Sequence, residues 1–398
     1  MALYLNPTNS NFTEDSNRSI YVDKTELIAV LNRKIGTGDK FICNSRPRRF
    51  GKSMTANMLT AYYSRGCDSA QLFSKYKIAG DESFHKHLNQ YDVIHIDAQW
   101  CRCNVQSAKD VVPYIQKHVF RELVDEYPDI LTEHNIPLSE ALALVNEQSG
   151  HRFVIIIDEW DCIIRDDMED TAAHDIYIKF LRSLLKGNLP SSYLCLAYLT
   201  GILPIKKVKT QSALNNFDEF TMLDTGEFAP FVGFTQQEVM ELCQQYNRNF
   251  GEMKRWYDGY LLEGNLPVYN PRAVVSSIKS GKLKSYWSQT GSYEVIAQLI
   301  NMNFDGLKSA VIHMLSGEPL RINTKSYQND MISFRNKDDV LTLLIHLGYL
   351  AYEEETSKAF IPNEEIRSEF IDAVEDNHWT ELMELQKECP LVSRVKME

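Results

Sequence analysis

A parallel β-sheet covered by helices, an α/β fold, is predicted by three observations. First, Asp92–Asp97, residues 153–157 and Leu194–Gly201 are continuous apolar, β-branched-rich runs, which read as strands buried on both faces. Second, the segments between them carry apolar residues at helical spacing, over 111–124, 138–147 and 176–186, and strands alternating with helices build a layered sheet. Third, the stretch Arg46-Pro47-Arg48-Arg49-Phe50-Gly51-Lys52-Ser53 lies between an apolar run at 41–43 and a helical pattern at 54–63. That is the strand, loop and helix setting of a phosphate-binding loop.

In chain order, residues 1–38 precede the loop strand. Tyr21-Val22-Asp23-Lys24 leads into a helical pattern over 25–34, with Asp23 placed to cap its start. The 41–43 strand, the loop and the 54–63 helix come next, then the strand Asp92–Asp97, whose terminal Asp97 reads as structural. Helices over 111–124 and 138–147 cover the sheet before the strand 153–157 ends in Asp158-Glu159. The run Arg165-Asp166-Asp167-Met168-Glu169-Asp170 reads as a solvated loop. A helix over 176–186 is expected to stop at Gly187-Asn188, and Leu194–Gly201 forms a third buried strand that carries Thr200 near its end.

Beyond about residue 228 the pattern changes. Thr235 with Glu238 three residues on is a capping box, and Asn270-Pro271 opens another helix. Trp256-Tyr257-Asp258-Gly259-Tyr260 gathers aromatics around a turn. A helix over 338–347 is followed by two short apolar runs, 349–352 and 359–361, an order resembling a winged helix. The intervening Glu353-Glu354-Glu355 would repel phosphates, which favours packing or protein contact over nucleic-acid reading there.

The chemistry follows from the loop and the acid pair together. A helix N-terminus with inward backbone N–H groups receives an anion, a lysine neutralises its outer phosphates, and a hydroxyl ligates Mg²⁺. Gly51, Lys52 and Ser53 supply these parts, while Arg46 occupies the place of the usual first glycine. Two acids at the carboxyl end of a parallel strand emerge where such sheets bind ligands. Asp158 is then a candidate to hold the metal with Ser53, and Glu159 to orient and polarise the attacking water. The cofactors expected are ATP and Mg²⁺, on a loop comprising Arg46, Pro47, Arg48, Arg49, Phe50, Gly51, Lys52, Ser53 and Met54.

The 398 residues, 44% hydrophobic and 24% charged, suffice for two or three domains with a sizeable core. A formal charge of −12 argues against a surface-wide nucleic-acid platform and leaves local patches open, among them 205–209. The eight cysteines have no paired metal-ligand spacing and read as reduced thiols, and no run reaches the ~18 apolar residues of a membrane span. With no signal-peptide pattern at the start, a cytoplasmic, bacterial location is expected.

The arginine-rich loop, Tyr21-Val22-Asp23-Lys24-Thr25, the 155–161 segment Ile-Ile-Ile-Asp-Glu-Trp-Asp, Thr200-Gly201-Ile202-Leu203-Pro204, and Trp256 to Tyr260 followed by Tyr269-Asn270-Pro271 resemble the bacterial AAA-ATPase-like family. The resemblance runs from about residue 4 to about residue 375. It implies a P-loop NTPase of the ASCE/AAA-like class, a helical lid, a base-side role for Asp23 and Lys24, and a γ-phosphate sensor at Thr200. Members commonly continue into a PD-(D/E)XK nuclease-like domain, whose acid and E-x-K pattern is missing from 339–398, so nuclease activity is not expected.

The organisation expected is an ATP-binding domain over 1–227, a helical lid over 228–325 and a winged-helix-like region over 326–398. The function expected is that of a Mg-dependent ATPase acting as a molecular switch, with Glu159, Lys52 and Thr200 as its catalytic set. Alternatives are a nucleotide-gated scaffold serving a protein partner or self-association with little hydrolysis, and a DNA-associated regulator. Arg182, Lys206 and Lys207 are unranked candidates for stabilising charge during hydrolysis.

Overall fold

The structure, a computed structural model, describes residues 2–132, 136–206, 214–287, 293–302, 304–329 and 331–376. They fall into two compact units, Met1–Gly233 with Gln328–Ser333, and Phe234–Tyr327 with Phe334–Glu398.

The first unit is built on five strands, β1 (Phe41–Ser45), β2 (Asp92–Asp97), β3 (Phe153–Asp158), β4 (Leu194–Gly201) and β5 (Asp218–Phe220). They lie side by side in the order β2-β3-β4-β1-β5, and every pairing is parallel. The order places β4 between β3 and β1. The two strands that carry the acid pair and the loop are therefore separated by one strand.

Every residue of β1, β3 and β4 is buried, as their unbroken apolar runs require. The helix Lys52–Tyr63 buries Ala56, Met58, Leu59, Tyr62 and Tyr63 in one core with Leu27, Ile28 and Leu31 of the helix Glu26–Lys34 and with Val93, Val154, Ile156 and Leu196 of the sheet. The helix expected over 176–186 runs from Thr171 to Leu185, because Asp170 caps the N–H of Ala173 at 3.0 Å. It ends at Leu185 with Lys186 as its C-cap, just before the expected stop, and Gly187 is the N-cap of a six-residue helix, Asn188–Tyr193, that follows at once.

The second unit contains more strand than a helical lid predicts. Strands β6 (Phe234–Thr235), β7 (Tyr260–Leu262) and β8 (Leu266–Tyr269) form an antiparallel sheet in the order β6-β8-β7. The predicted capping box is present, with Thr235 N–H donating to Glu238 Oε2 at 2.8 Å and Glu238 N–H to Thr235 Oγ1 at 3.4 Å. Strands β9 (Leu320–Arg321), β10 (Ala351–Glu353) and β11 (Lys358–Phe360) form a second sheet, in which the β10–β11 hairpin follows the helix Lys337–Leu347.

The boundary expected near 325 does not divide this unit. Tyr260 Oη donates to the Gly348 carbonyl at 2.6 Å and Asn363 Nδ2 to the Asp258 carbonyl at 2.7 Å, so the two expected regions interlock. The short segment Gln328–Ser333 belongs instead to the first unit, where Asn329 Nδ2 donates to the Pro204 carbonyl.

Gly259 shows why the aromatic turn needs its glycine. Its φ is +107°, and a Cβ there would land on the Pro362 carbonyl. Gly259→Ala is expected to destabilise the protein by about 3 kcal/mol. Gly264→Ala, at φ +68° with nothing within 4 Å of the new Cβ, should cost about 1 kcal/mol. Denaturant unfolding of the two variants side by side checks the difference.

Candidate nucleotide-binding site

The loop leaves β1 at Ser45 and is anchored at once, since the Arg46 N–H donates to the Gly201 carbonyl at the end of β4, 3.0 Å away. It turns through left-handed conformations at Arg49 (φ 72°) and Gly51 (φ 96°). Gly51 is the N-cap of the helix Lys52–Tyr63, and no side chain caps that helix. Its first-turn N–H groups and its dipole are thus presented for an anion.

Lys52, 5% exposed, donates from Nζ to the Pro47 carbonyl at 3.1 Å and stands 3.5 Å from Glu159 Oε1. Ser53 is exposed, and its hydroxyl hydrogen-bonds Asp158. Pro47 and Phe50 are buried, Arg49 and Met54 half-buried, and Arg48 is exposed, where its positive charge bears on Glu159. The side chain of Arg46 has a different place. It is fully buried, donating from Nη1 to the Ser45 carbonyl at 2.9 Å and the Phe220 carbonyl at 3.1 Å, so it ties the base of the loop to β5. With no carboxylate bound to it, burial lowers its pKa to about 10.

Strand register aligns Asp97, Asp158, Thr200 and Asn44 in one row across β2, β3, β4 and β1. Asp158, 4% exposed, has its pKa raised to about 7, first by burial and further by Glu159 and Asp97, against the Ser53 hydrogen bond and the Lys52 charge. Glu159 stands in a left-handed conformation (φ 49°), and its N–H donates to Asp158 Oδ1 at 3.0 Å. Burial alone would raise the Glu159 pKa, but the charges of Lys52, Arg165 and Arg48 together hold it below the usual value. Thr200 is buried, and its hydroxyl donates to the Asn44 carbonyl at 3.1 Å.

Lys52, Ser53, Asp158 and Glu159 are therefore joined by direct contacts, with Thr200 one strand away in register. Asp23 is engaged elsewhere: its oxygens accept from the N–H groups of Thr25 at 2.9 Å and Lys77 at 2.8 Å. Arg182 and Lys206 are exposed, Lys206 N–H donating to Glu219 Oε1 at 3.1 Å, and Lys207 lies outside the described residues with the rest of 207–213.

The run 165–170 is not the fully solvated loop its charges suggest. Arg165 is 8% exposed and reaches Glu159 Oε2 at 3.1 Å, Asp161 Oδ1 at 3.2 Å and Asp166 Oδ1 at 3.1 Å. Asp167 pairs with Arg102 at 2.7 Å. Asp161, fully buried, accepts from the N–H groups of Ile202 at 3.0 Å and Leu203 at 2.8 Å. Sequence reasoning missed Asp161 and Arg165. Their one signal was the four-residue spacing, which puts them on one side of a helical turn.

An uncapped helix N-terminus, a lysine beside it and a hydroxyl bonded to a carboxylate are hard donors and cations suited to a nucleotide phosphate with Mg²⁺. The protein free of both has a distinct pH signature. A carboxyl bound more tightly to its proton when folded stabilises at low pH, and that contribution is lost as pH rises from about 4 to about 7. Asp158→Asn, which cannot ionise, is expected to lack this decline and to gain on the wild type by as much as about 4 kcal/mol near pH 7. Unfolding midpoints of both proteins in EDTA from pH 4 to 8 check it.

No helix among the described residues is long and apolar enough to cross a membrane, and no group of three or more His, Cys, Asp or Glu among them is placed to hold a metal ion. No curated protein matches the chain. Among solved structures it is similar to the ORC2 protein of Aeropyrum pernix, in ADPNP and ADP complexes, with 14% identity over 90% of this chain and 97% of that one. The TM-score is 0.36, too low to add to what the sheet itself shows. The family described as AAA-ATPase-like, predicted AAA-ATPase, matches residues 10–210, which contain the loop, the acid pair and strands β1 to β4. That match spans just over half of the 398 residues, and the chain belongs to this predicted AAA-ATPase family.

Proposed function

We propose that this protein binds ATP with Mg²⁺ at the Arg46 to Ser53 loop and hydrolyses it, working as a nucleotide-driven switch. The observation that carries this reading is the convergence of Lys52, Ser53, Asp158 and Glu159 at the carboxyl end of the sheet. Lys52 exchanges its contacts with Pro47 and Glu159 for the outer phosphates. Ser53 and Asp158 hold the metal. Mg²⁺, when bound, supplies positive charge against the charge that builds on the phosphate oxygens. Glu159 accepts a proton from the water whose oxygen bonds to the γ-phosphorus as the bond to ADP breaks.

Purified protein with a fluorescent ATP analogue and Mg²⁺, followed by a phosphate-release assay, tests this. Saturable binding with turnover is expected, and no binding by folded protein overturns the reading. A second reading, a nucleotide-gated scaffold with little hydrolysis, is favoured by one observation: both carboxylate oxygens of Glu159 already face cations. Binding without phosphate release would select it.

A further inference from the structure

We propose that Arg165 is the positioning residue for Glu159, anchoring one carboxylate oxygen so that the other is presented to the attacking water. The two oxygens of Glu159 have different partners: Oε2 meets Arg165 Nη1 at 3.1 Å, and Oε1 faces Lys52 Nζ at 3.5 Å. These partners differ in what holds them. Lys52 has one further bond, to the Pro47 carbonyl. The Arg165 guanidinium is bound besides to Asp161 at 3.2 Å, Asp166 at 3.1 Å and Gln99 Oε1 at 3.3 Å.

Asp161 is itself fixed. It is fully buried, with Oδ2 accepting from Ile202 and Leu203 N–H just after Thr200-Gly201. The fork of Arg165 thus ties Glu159 to the turn that ends β4: Nη1 meets both Glu159 and Asp161, while Nε and Nη2 hold Asp166 and Gln99, a fixed planar spread of donors that a single ammonium does not reproduce. The left-handed backbone at Glu159, a conformation that costs energy in a non-glycine residue, places its carboxylate within reach of this fork.

The proposal rests on the nucleotide-hydrolysis reading. When Lys52 turns to the phosphates, Oε1 loses its partner on the side of the loop while Oε2 stays on Arg165. The oxygen released is the one that faced the lysine, so it is the proton acceptor, and Arg165 keeps the carboxylate from following Lys52. Arg165 touches no substrate in this scheme.

The test compares wild type, Arg165→Gln, Arg165→Lys, Glu159→Gln and the Arg165→Gln/Glu159→Gln pair. Fluorescent-nucleotide titration, phosphate release and ligand-free thermal midpoints are measured for each. Arg165→Gln is expected to lower kcat by about 10–100-fold with nucleotide Kd within twofold of wild type. Arg165→Lys should recover part of that loss, and in the Glu159→Gln background Arg165→Gln should lower kcat no further. Without ligand, the fall in midpoint caused by Arg165→Gln should be smaller when Glu159 is already Gln, since the partner charge is gone.

A kcat within twofold of wild type in Arg165→Gln, or an equal loss in both backgrounds, overturns the inference. If Arg165→Gln does not fold, Arg165→Lys decides, and wild-type kcat in that variant overturns it. The two readings fail differently. Wild-type protein that binds no nucleotide removes both, whereas turnover that is lost in Glu159→Gln and kept in the Arg165 variants removes only this one.

Discussion

Glu159→Gln is expected to lower turnover by about 10²–10³-fold while leaving nucleotide affinity within a few-fold of wild type. The amide keeps the length and shape of the side chain but cannot take a proton from water. It also carries no charge for Lys52 and Arg165, which now stand 3.5 and 3.1 Å from the two oxygens. Losing the ion pair with Lys52 removes something that nucleotide binding must break, so affinity is expected to be held or slightly raised. Single-turnover phosphate release at saturating nucleotide, beside equilibrium titration, separates the two quantities. A variant that lost binding in proportion to turnover would place Glu159 in the binding surface instead of the chemical step.

Lys52→Ala is expected to weaken ATP binding by about 10²-fold or more, the value of one or two charge-assisted hydrogen bonds to phosphate. Nζ is buried within the loop, bonded to the Pro47 carbonyl at 3.1 Å, so it is held beside the helix N-terminus before any nucleotide arrives. Arg48 is exposed nearby and cannot substitute, because a flexible surface cation supplies field without a fixed donor. The same variant leaves Glu159 with Arg165 and Arg48 as its cations, so its carboxylate should remain charged and the fold intact. Titration with a fluorescent ATP analogue, with the unfolding midpoint as a folding control, checks this.

Much of the sheet was legible because local chemistry and tertiary role coincide there. The runs ending at Asp158 and Gly201 are almost wholly apolar and that ending at Asp97 is interrupted only by His95, and short β-branched runs of this kind read as strands covered on both sides. The loop was legible for a similar reason: only glycine takes the Gly51 conformation at no steric cost, and the lysine and hydroxyl follow it directly. The capping box at Thr235 is likewise a signal confined to four residues.

Other features were out of reach because they depend on distant partners. Arg46 stands in the loop sequence, yet its guanidinium is buried against Phe220 of β5, a contact 174 positions away along the chain. The charges of 165–170 read as solvated because the four-residue spacing of Asp161 and Arg165 does not by itself announce that Arg165 would be buried among Glu159, Asp161 and Asp166. Thr200 was singled out for its hydroxyl, and the neighbouring strand's Asn44 carbonyl decides what that hydroxyl bonds. In the second unit, strands of two to four residues are too short for a period to show, and only their pairing, of β8 with β6 and β7 and of β11 with β9 and β10, makes them two sheets.

By itself, the sequence determined an α/β chain with a Gly51-Lys52-Ser53 loop ahead of a helix and an acid pair at a strand end, since burial of apolar runs and the backbone demands of glycine act over a few residues. Tertiary structure alone decided the β2-β3-β4-β1-β5 order and the meeting of Lys52, Ser53 and Arg165 around Asp158 and Glu159. Which charges face each other in a low-dielectric interior is set by strand pairing, and strand pairing is a property of the whole chain.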